Sequence, residues 1–542
     1  MYRIHQIKLR PGEPLDRLPE KILKKLGPAA KGLLIDEWKV VKESIDARDK
    51  SAIRLVYSVD FTVVSAKAPG KPAELKPNSR LGLEIAPDIR YREAVTMPDA
   101  GTLKHRPVIV GFGPAGIFAA LILARAGYRP LVLERGQDVD TRTAAVERFW
   151  NTGELDTESN VQFGEGGAGT FSDGKLTTGI KDPRIRKVLE ELVSAGGPED
   201  ILYRQKPHIG TDILRTVVKS IREEIKALGG EIRFGSRVKD IITDGSSLSG
   251  VRLSDGEVIE CETAVFAIGH SSRDTFRALF HSGIDMAQKP FSIGVRIEHP
   301  QEMIDIAQYG APAAELGLPA ADYKLNYRCE NGRGVYTFCM CPGGKVVVAS
   351  SQEGGVVTNG MSYHDRDSGT ANSALLCDVR VSDFGSAHVL AGVEFQEKYE
   401  RLAFQNGGGG YRPPKCSWGQ FNNPEDSALS YEEKTEAKAV ENSLPGFAVD
   451  AIREAMPHLG RKLKGFDSED SVMTAVEARS SSPVRFARND DLMGSMGGQT
   501  LEGFFPCGEG AGYAGGIMSA AVDGIKAAEA IIKNWKPADR ND

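Results

Sequence analysis

Pro107-Val-Ile-Val-Gly-Phe-Gly-Pro-Ala-Gly116 is the stretch whose reading decides the fold. Val108, Ile109 and Val110 form a short apolar run that meets glycines at 111, 113 and 116. An apolar helix is expected from Ile117 to Ala126, stopped at Gly127, and a second apolar run, Leu131-Val132-Leu133, closes on Glu134-Arg135. Strand, tight turn, helix, strand and an acid about twenty residues beyond the turn make the fingerprint of a dinucleotide-binding βαβ unit. Gly111 is placed for the sharp turn, Gly113 for the approach of a pyrophosphate, and Gly116 for close helix–strand packing. Pro114 and Ala115 open the helix, whose amino end offers unpaired N–H groups and the positive end of its dipole to phosphate.

The rest of the chain is long enough for two or three cores. At 542 residues, with 41% hydrophobic and 26% charged residues, it has the composition of a soluble globular protein. A net charge of -6 argues against a nucleic-acid surface, and no apolar run is long enough for a membrane helix. Seven scattered cysteines do not form a disulfide framework, and the nine histidines show no metal-ligand spacing, so no metal is expected. The amino terminus lacks a signal-peptide layout, and the expected compartment is the cytoplasm.

Residues 1–65 read as a small α+β unit with a ferredoxin-like arrangement, in which Leu18, Ile22, Leu23 and Leu26 share a helical face and Ile53 to Phe61 alternate as a strand. Recurrent prolines mark 66–106 as an extended linker. The dinucleotide-binding domain is expected to be discontinuous, over 107–289 and 496–537, and Rossmann-like, with three layers (ββα). Between its parts, 290–495 carries short alternating strands such as Phe291–Ile297 and Gly334–Cys339. These read as an inserted antiparallel α+β substrate domain.

Three further segments of the first domain carry cofactor chemistry. Asn160 to Leu176 is a glycine-dense loop that can lay N–H groups against phosphate or a flavin edge; Gly167 and Ala168 lie at its centre, and Thr170, Ser172 and Lys175 add donors. Thr263 to His270 is a buried strand ending in Ala267-Ile-Gly269, suited to close the sheet beneath the adenine half of a dinucleotide. Near the carboxyl end, Gly508-Glu509 is followed by a helix whose amino end, Gly515-Gly516-Ile517, can stabilise negative charge on a reduced flavin. Glu509 suits a ribityl hydroxyl.

Together these pieces resemble the glutathione-reductase-type FAD-binding flavoproteins, and the chain as a whole looks like the bacterial NAD(P)/FAD-dependent dehydrogenase family. The resemblance implies non-covalent FAD, with Glu134 on the adenosine ribose, Val238 touching adenine through its backbone, and the last helix facing the flavin. Two positions depart from the pattern. Ala267-Ile-Gly269 replaces the usual Ala-Thr-Gly, and Gly508-Glu509 replaces Gly-Asp.

Candidates for chemistry on the substrate are His270 and His364 as acid/base groups; Glu477, Arg479 and Arg485 are candidates at the flavin site, where Arg479 suits an anionic substrate or the flavin, with a structural salt-bridge network standing as an equal alternative. Cys339-Met-Cys341 reads as two strand residues pointing the same way, small packing residues more readily than a redox pair. No second G-x-G-x-x-G follows a strand, so no separate NAD(P)H domain is expected, although NAD(P)H stands as an electron donor. The expected activity is hydride transfer between a small-molecule substrate and flavin N5. Two alternatives stand beside it, an FAD-binding RNA-modifying or RNA-binding flavoprotein and a non-catalytic flavin-binding assembly protein. No nucleic-acid or membrane partner is expected, and no oligomeric state is legible.

Overall fold

The computed structural model describes residues 1–539. The first unit is a sheet of β1 (Tyr2–Leu9), β2 (Leu33–Asp46), β3 (Arg54–Ser65), β4 (Ala68–Pro72) and β5 (Leu83–Ile85), in the order β2-β3-β1-β5 with β4 paired to β3. One helix, α1 (Leu18–Leu26), covers it by burying Leu18, Ile22 and Leu26 against Ile4, Val59 and Phe61. The 66–106 segment is not an extended linker throughout. Its first part supplies β4 and β5, because Ala73 N–H bonds Val63 O and Leu83 pairs with Ile4. The unit docks on the main body through backbone bonds between Glu43 and the Tyr203–Gln205 segment.

The glycine turn lies in the next unit. β6 (Val108–Val110) leads through Gly111–Gly113 into α2 (Pro114–Arg125), then into β7 (Leu131–Leu133). Ala115 through Ala124 of α2 are all buried, as expected of a helix that is apolar all round. After α3 (Thr211–Ala227) comes β8 (Glu231–Arg233). Gly210 is the N-cap of α3, and Thr211 Oγ1 donates to Thr170 O in the glycine-dense loop. β9 (Val238–Asp244), β10 (Ser247–Leu253) and β11 (Val258–Glu260) form a separate antiparallel sheet, and β12 (Ala264–Phe266) returns to the parallel one.

A six-stranded antiparallel sheet follows. It is built from β13 (Phe291–Pro300), β14 (Asn326–Arg328), β15 (Gly334–Cys341), β16 (Thr370–Val379), β17 (Lys415–Ser417) and β18 (Val472–Glu477), in the order β14-β15-β16-β13-β18-β17. Helices α4 (Ala391–Asn406) and α5 (Gly446–Lys462) share a core with it through Phe395, Tyr399, Ile452 and Met456.

The chain then re-enters the parallel sheet as β19 (Phe504–Pro506), completing the order β19-β12-β6-β7-β8. The last helix, α6 (Ile517–Asn534), lies against α2 so closely that a Cβ on Gly524 would stand 2.1 Å from Ala115 O. Small residues at this crossing let the two backbones touch. No helix among the described residues is long and apolar enough to cross a membrane.

Candidate active site

The carboxyl ends of β6, β7, β12 and β19 all open into one cleft of about 350 Å³. This is the place where open parallel sheets bind ligands. Gly111, Glu134, Ala267 and Glu509 line it from the strand ends, and Val238 closes one end. The glycine-dense loop folds over the first turn. Gly166 N–H bonds Phe112 O at 2.8 Å, and a Cβ on Gly167 would stand 2.9 Å from the Cα of Gly113. No side chain therefore covers the amino end of α2 on that side. Glu134 is buried, and its carboxylate accepts N–H groups from Phe112, Gly136 and Gly164 at 2.7, 2.9 and 2.9 Å. The acid thus also ties the turn, the strand end and the loop together.

The opposite wall comes from the inserted domain: Phe338, Cys339 and Glu477 from the six-stranded sheet, Arg479 and Ser480 just beyond β18, and Asn359 from a separate two-stranded hairpin. Two buried ion systems stand behind it. Glu400 is clamped by Arg273 and Arg479, with four N···O distances between 2.6 and 2.9 Å. Arg479 also donates to Ser271 and Ser351, so its guanidinium is committed inside the protein and is not free to hold a substrate anion. In the second system Arg296 Nε lies 2.6 Å from Glu477 Oε2. The two atoms are close but off hydrogen-bond alignment, for neither counts as hydrogen-bonded. Contact without alignment leaves Glu477 only partly compensated.

Burial pushes the Glu477 carboxyl up to about 7; Arg296 works against the shift and Cys339 adds to it. Glu509 is likewise pushed up to about 7, by burial against the pull of Lys289. A carboxyl whose folded value is raised binds its proton more tightly folded than unfolded. Its contribution to stability is therefore complete below its ordinary 4.5 and is lost as the pH rises through about 7. Infrared titration should show a protonated carboxyl band vanishing near neutrality, and Glu477→Gln should weaken that band while flattening the alkaline fall in stability. An unchanged band in the variant would remove Glu477 from this role.

Lys175 lines the cleft, and its buried Nζ has no hydrogen-bond partner; Asp173 is 3.6 Å away. Burial opposes its charge, but Asp173 together with the Cys341 and Cys339 sulfurs outweighs it and raises the amine above its ordinary value. Asp173 is itself fixed by Arg366 at 2.6 Å and by Ser362 Oγ.

Most of the residues expected at the cofactor lie on the cleft, namely Gly111, Gly113, Pro114, Ala115, Glu134, Arg135, Gly167, Ala168, Ser172, Lys175, Val238, Ala267, Gly269, Glu509, Gly515, Gly516 and Ile517. Gly116, Thr170 and Gly508 do not. Gly116 is packed against Gly111, Thr170 Oγ1 bonds Glu165 O, and Gly508 N–H is spent on Asp523. His364 is also off the cleft: its ring stacks on His208 with centroids 5.2 Å apart, and its Nδ1 is 2.9 Å from Ile209 O. Arg485 lies over Tyr513 and donates to Gly512 O. His270 does line the cleft, but burial, with Arg479 and Arg273 nearby, drives its pKa down to about 3. It is a neutral imidazole and a weak base. Arg273, Arg296, Asp173 and Glu400 carried no sequence signal, since their partners are remote in the chain. Among the described residues no cluster suits a metal ion.

The geometry is that of a nucleotide-binding flavoprotein, and the comparisons with known proteins agree. Residues 290–480 match the model of the FAD-dependent protein, C-terminal domain-like family, and residues 1–62 match a domain of unknown function. A probable electron transfer flavoprotein-quinone oxidoreductase of Escherichia coli is 26% identical over 31% of this chain and 37% of its own length. A digeranylgeranylglycerophospholipid reductase of Haloferax volcanii is 29% identical over 38% of this chain and 43% of its own. The chain thus spans less than half the length of either. It belongs to the FAD-dependent oxidoreductases, and FAD is its cofactor. Within them it belongs to one family with an uncharacterized protein of Clostridium beijerinckii, 48% identical over 98% of this chain and 99% of that protein. The bare glycine cradle at Gly113 and Gly167 and the Lys175 amine, which has no hydrogen-bond partner, fit such a group.

Proposed function

We propose that the protein is a dehydrogenase that moves a hydride between a small-molecule substrate and FAD held in a glutathione-reductase-type site. FAD supplies the electron-accepting N5. The Gly111–Gly116 turn and Gly167-Ala168 would take the pyrophosphate, Glu134 the adenosine ribose, and Val238 with Ala267–Gly269 the adenine half. Gly515-Gly516 and the amino end of α6 would face the flavin ring, with Glu509 on the ribityl chain.

The observation that carries the reading is that one cleft has two dissimilar walls. One is a phosphate-cradling strand–turn–helix; the other presents Glu477, a carboxyl poised at about 7. A group near neutrality accepts or gives a proton with little cost in either direction, as substrate oxidation or reduction requires. Lys175 sets a positive charge without a hydrogen-bond partner in the same space, suited to orient an anionic group of the substrate. The six-stranded sheet roofs the cleft and keeps water from the reacting atoms.

Under anaerobic conditions NADH or NADPH should bleach the yellow protein, and a suitable acceptor should restore the colour. A flavin that no hydride donor bleaches would sink the dehydrogenase reading while leaving FAD binding intact.

A further inference from the structure

Cys339 and Cys341 have no part in the reading above, yet their setting is not that of packing residues. β15 pairs with β16 at Phe338↔Ala374 and again at Cys341↔Asn372, so Cys339 and Met340 together oppose the single residue Ser373. This is a bulge, which re-aims side chains at a site. At the bulge Cys339 has φ +42°, a left-handed conformation that costs a non-glycine residue of order 1–3 kcal/mol. Arg296 Nη1 helps to hold it there by donating to Cys339 O at 2.9 Å. The bulge puts Cys339 on the cleft wall and leaves Cys341 buried behind it, with Cys341 Sγ 3.3 Å from Cys339 O.

The two thiols differ in acidity. The neighbouring Cys341 sulfur, with help from Lys175 and Arg296 against burial, lowers Cys339 below the ordinary thiol range, while the same pairing raises Cys341 above it. Cys261, Cys377 and Cys416 are pushed up to about 12 by burial. One exposed-side thiolate backed by one thiol is the arrangement that attacks a disulfide and then resolves the adduct.

We propose that Cys339 and Cys341 are a redox-active dithiol that reduces a disulfide-bearing substrate in the cleft and is returned to the dithiol by reduced FAD. The Cys339 thiolate attacks one sulfur of the substrate disulfide; that S–S bond breaks, and the departing thiolate takes a proton from solvent. Cys341 then attacks Cys339, forming the Cys339–Cys341 bond and releasing the second thiol, which takes the Cys341 proton. The substrate has gained two electrons, and the dithiol has lost them. Two electrons and two protons from reduced FAD restore both thiols. The resetting step rests on the flavin reduction proposed above, with a nicotinamide nucleotide as reductant; the sulfur chemistry does not.

The test uses the FAD-loaded protein and glutathione disulfide. At about pH 6, iodoacetamide should label Cys339 roughly tenfold or more faster than Cys341. Glutathione disulfide should convert the wild-type pair to an internal disulfide, seen by mass spectrometry as the loss of two hydrogen masses on the peptide carrying both. Cys341→Ser, checked for its flavin spectrum, should instead trap a glutathionyl group on Cys339. Two unreacted thiols at every glutathione ratio, or labelling of Cys339 only at alkaline pH, would overturn the proposal. Bleaching by NADH or NADPH reads the flavin separately, so the two readings fail independently.

Discussion

Gly116→Ala is expected to strip the protein of its flavin. Gly116 is the third glycine of the turn, and a Cβ placed there would stand 1.9 Å from Gly111 O and 3.3 Å from Ile109 Cγ2. The obstacle is backbone of the turn itself, so relief requires α2 to move off β6. That movement breaks the cradle in which the amino end of α2 meets the glycine-dense loop. Overpacking of this kind costs about 3 kcal/mol, at the upper end for an inserted methyl. Flavin absorbance per protein should fall to a small fraction of the wild-type value, and thermal unfolding should start several degrees lower. Gly446→Ala is the control, because a Cβ there meets nothing within 4 Å. Full flavin content in Gly116→Ala would refute the role given to this turn.

Glu400→Ala should be as damaging without touching the cofactor directly. The carboxylate is nearly inaccessible, as are Arg273 and Arg479, and it is their common anion. Its removal leaves two guanidinium groups buried with only neutral partners, Gln352 and Gln396 on one and Ser271 and Ser351 on the other. Breaking a buried pair in this way costs about 3–5 kcal/mol. The pH dependence has a definite sign. Burial disfavours the Glu400 anion, but Arg273 and Arg479 outweigh it and lower the pKa from 4.5 to about 2. The stabilisation is therefore complete above 4.5 and is lost as the pH falls toward about 2. Denaturant midpoints measured across that range should fall steeply for the wild type and less for Glu400→Ala. Parallel curves would show that the clamp contributes nothing to acid stability.

The two sites differ in how much of them could be read in advance. The spacing of Gly111, Gly113 and Gly116, the apolar helix and the acid at Glu134 are separated by a few residues, and local geometry forces them together. The same holds for Gly515-Gly516 before α6. The strands within 66–106 are hidden from the sequence for a related reason: proline content reports local stiffness, whereas β4 and β5 exist only because the edges of β3 and β1 are there to pair with them. His364 carries suitable chemistry by type, yet its ring is occupied with His208.

From the sequence alone came the dinucleotide turn, the return of the chain to that site at Glu509, and the presence of a separate sheet between. Each rests on short-range patterns of glycine and apolar residues that hold before any folding. The tertiary structure alone decided which charges stand on the cleft wall and which are paired behind it. Glu400 meets its arginines across 127 and 79 residues, Arg296 reaches Glu477 from a neighbouring strand, and Cys339 turns outward at a bulge set by β16. Burial and partner distance set those protonation states, and neither exists until the sheets have packed.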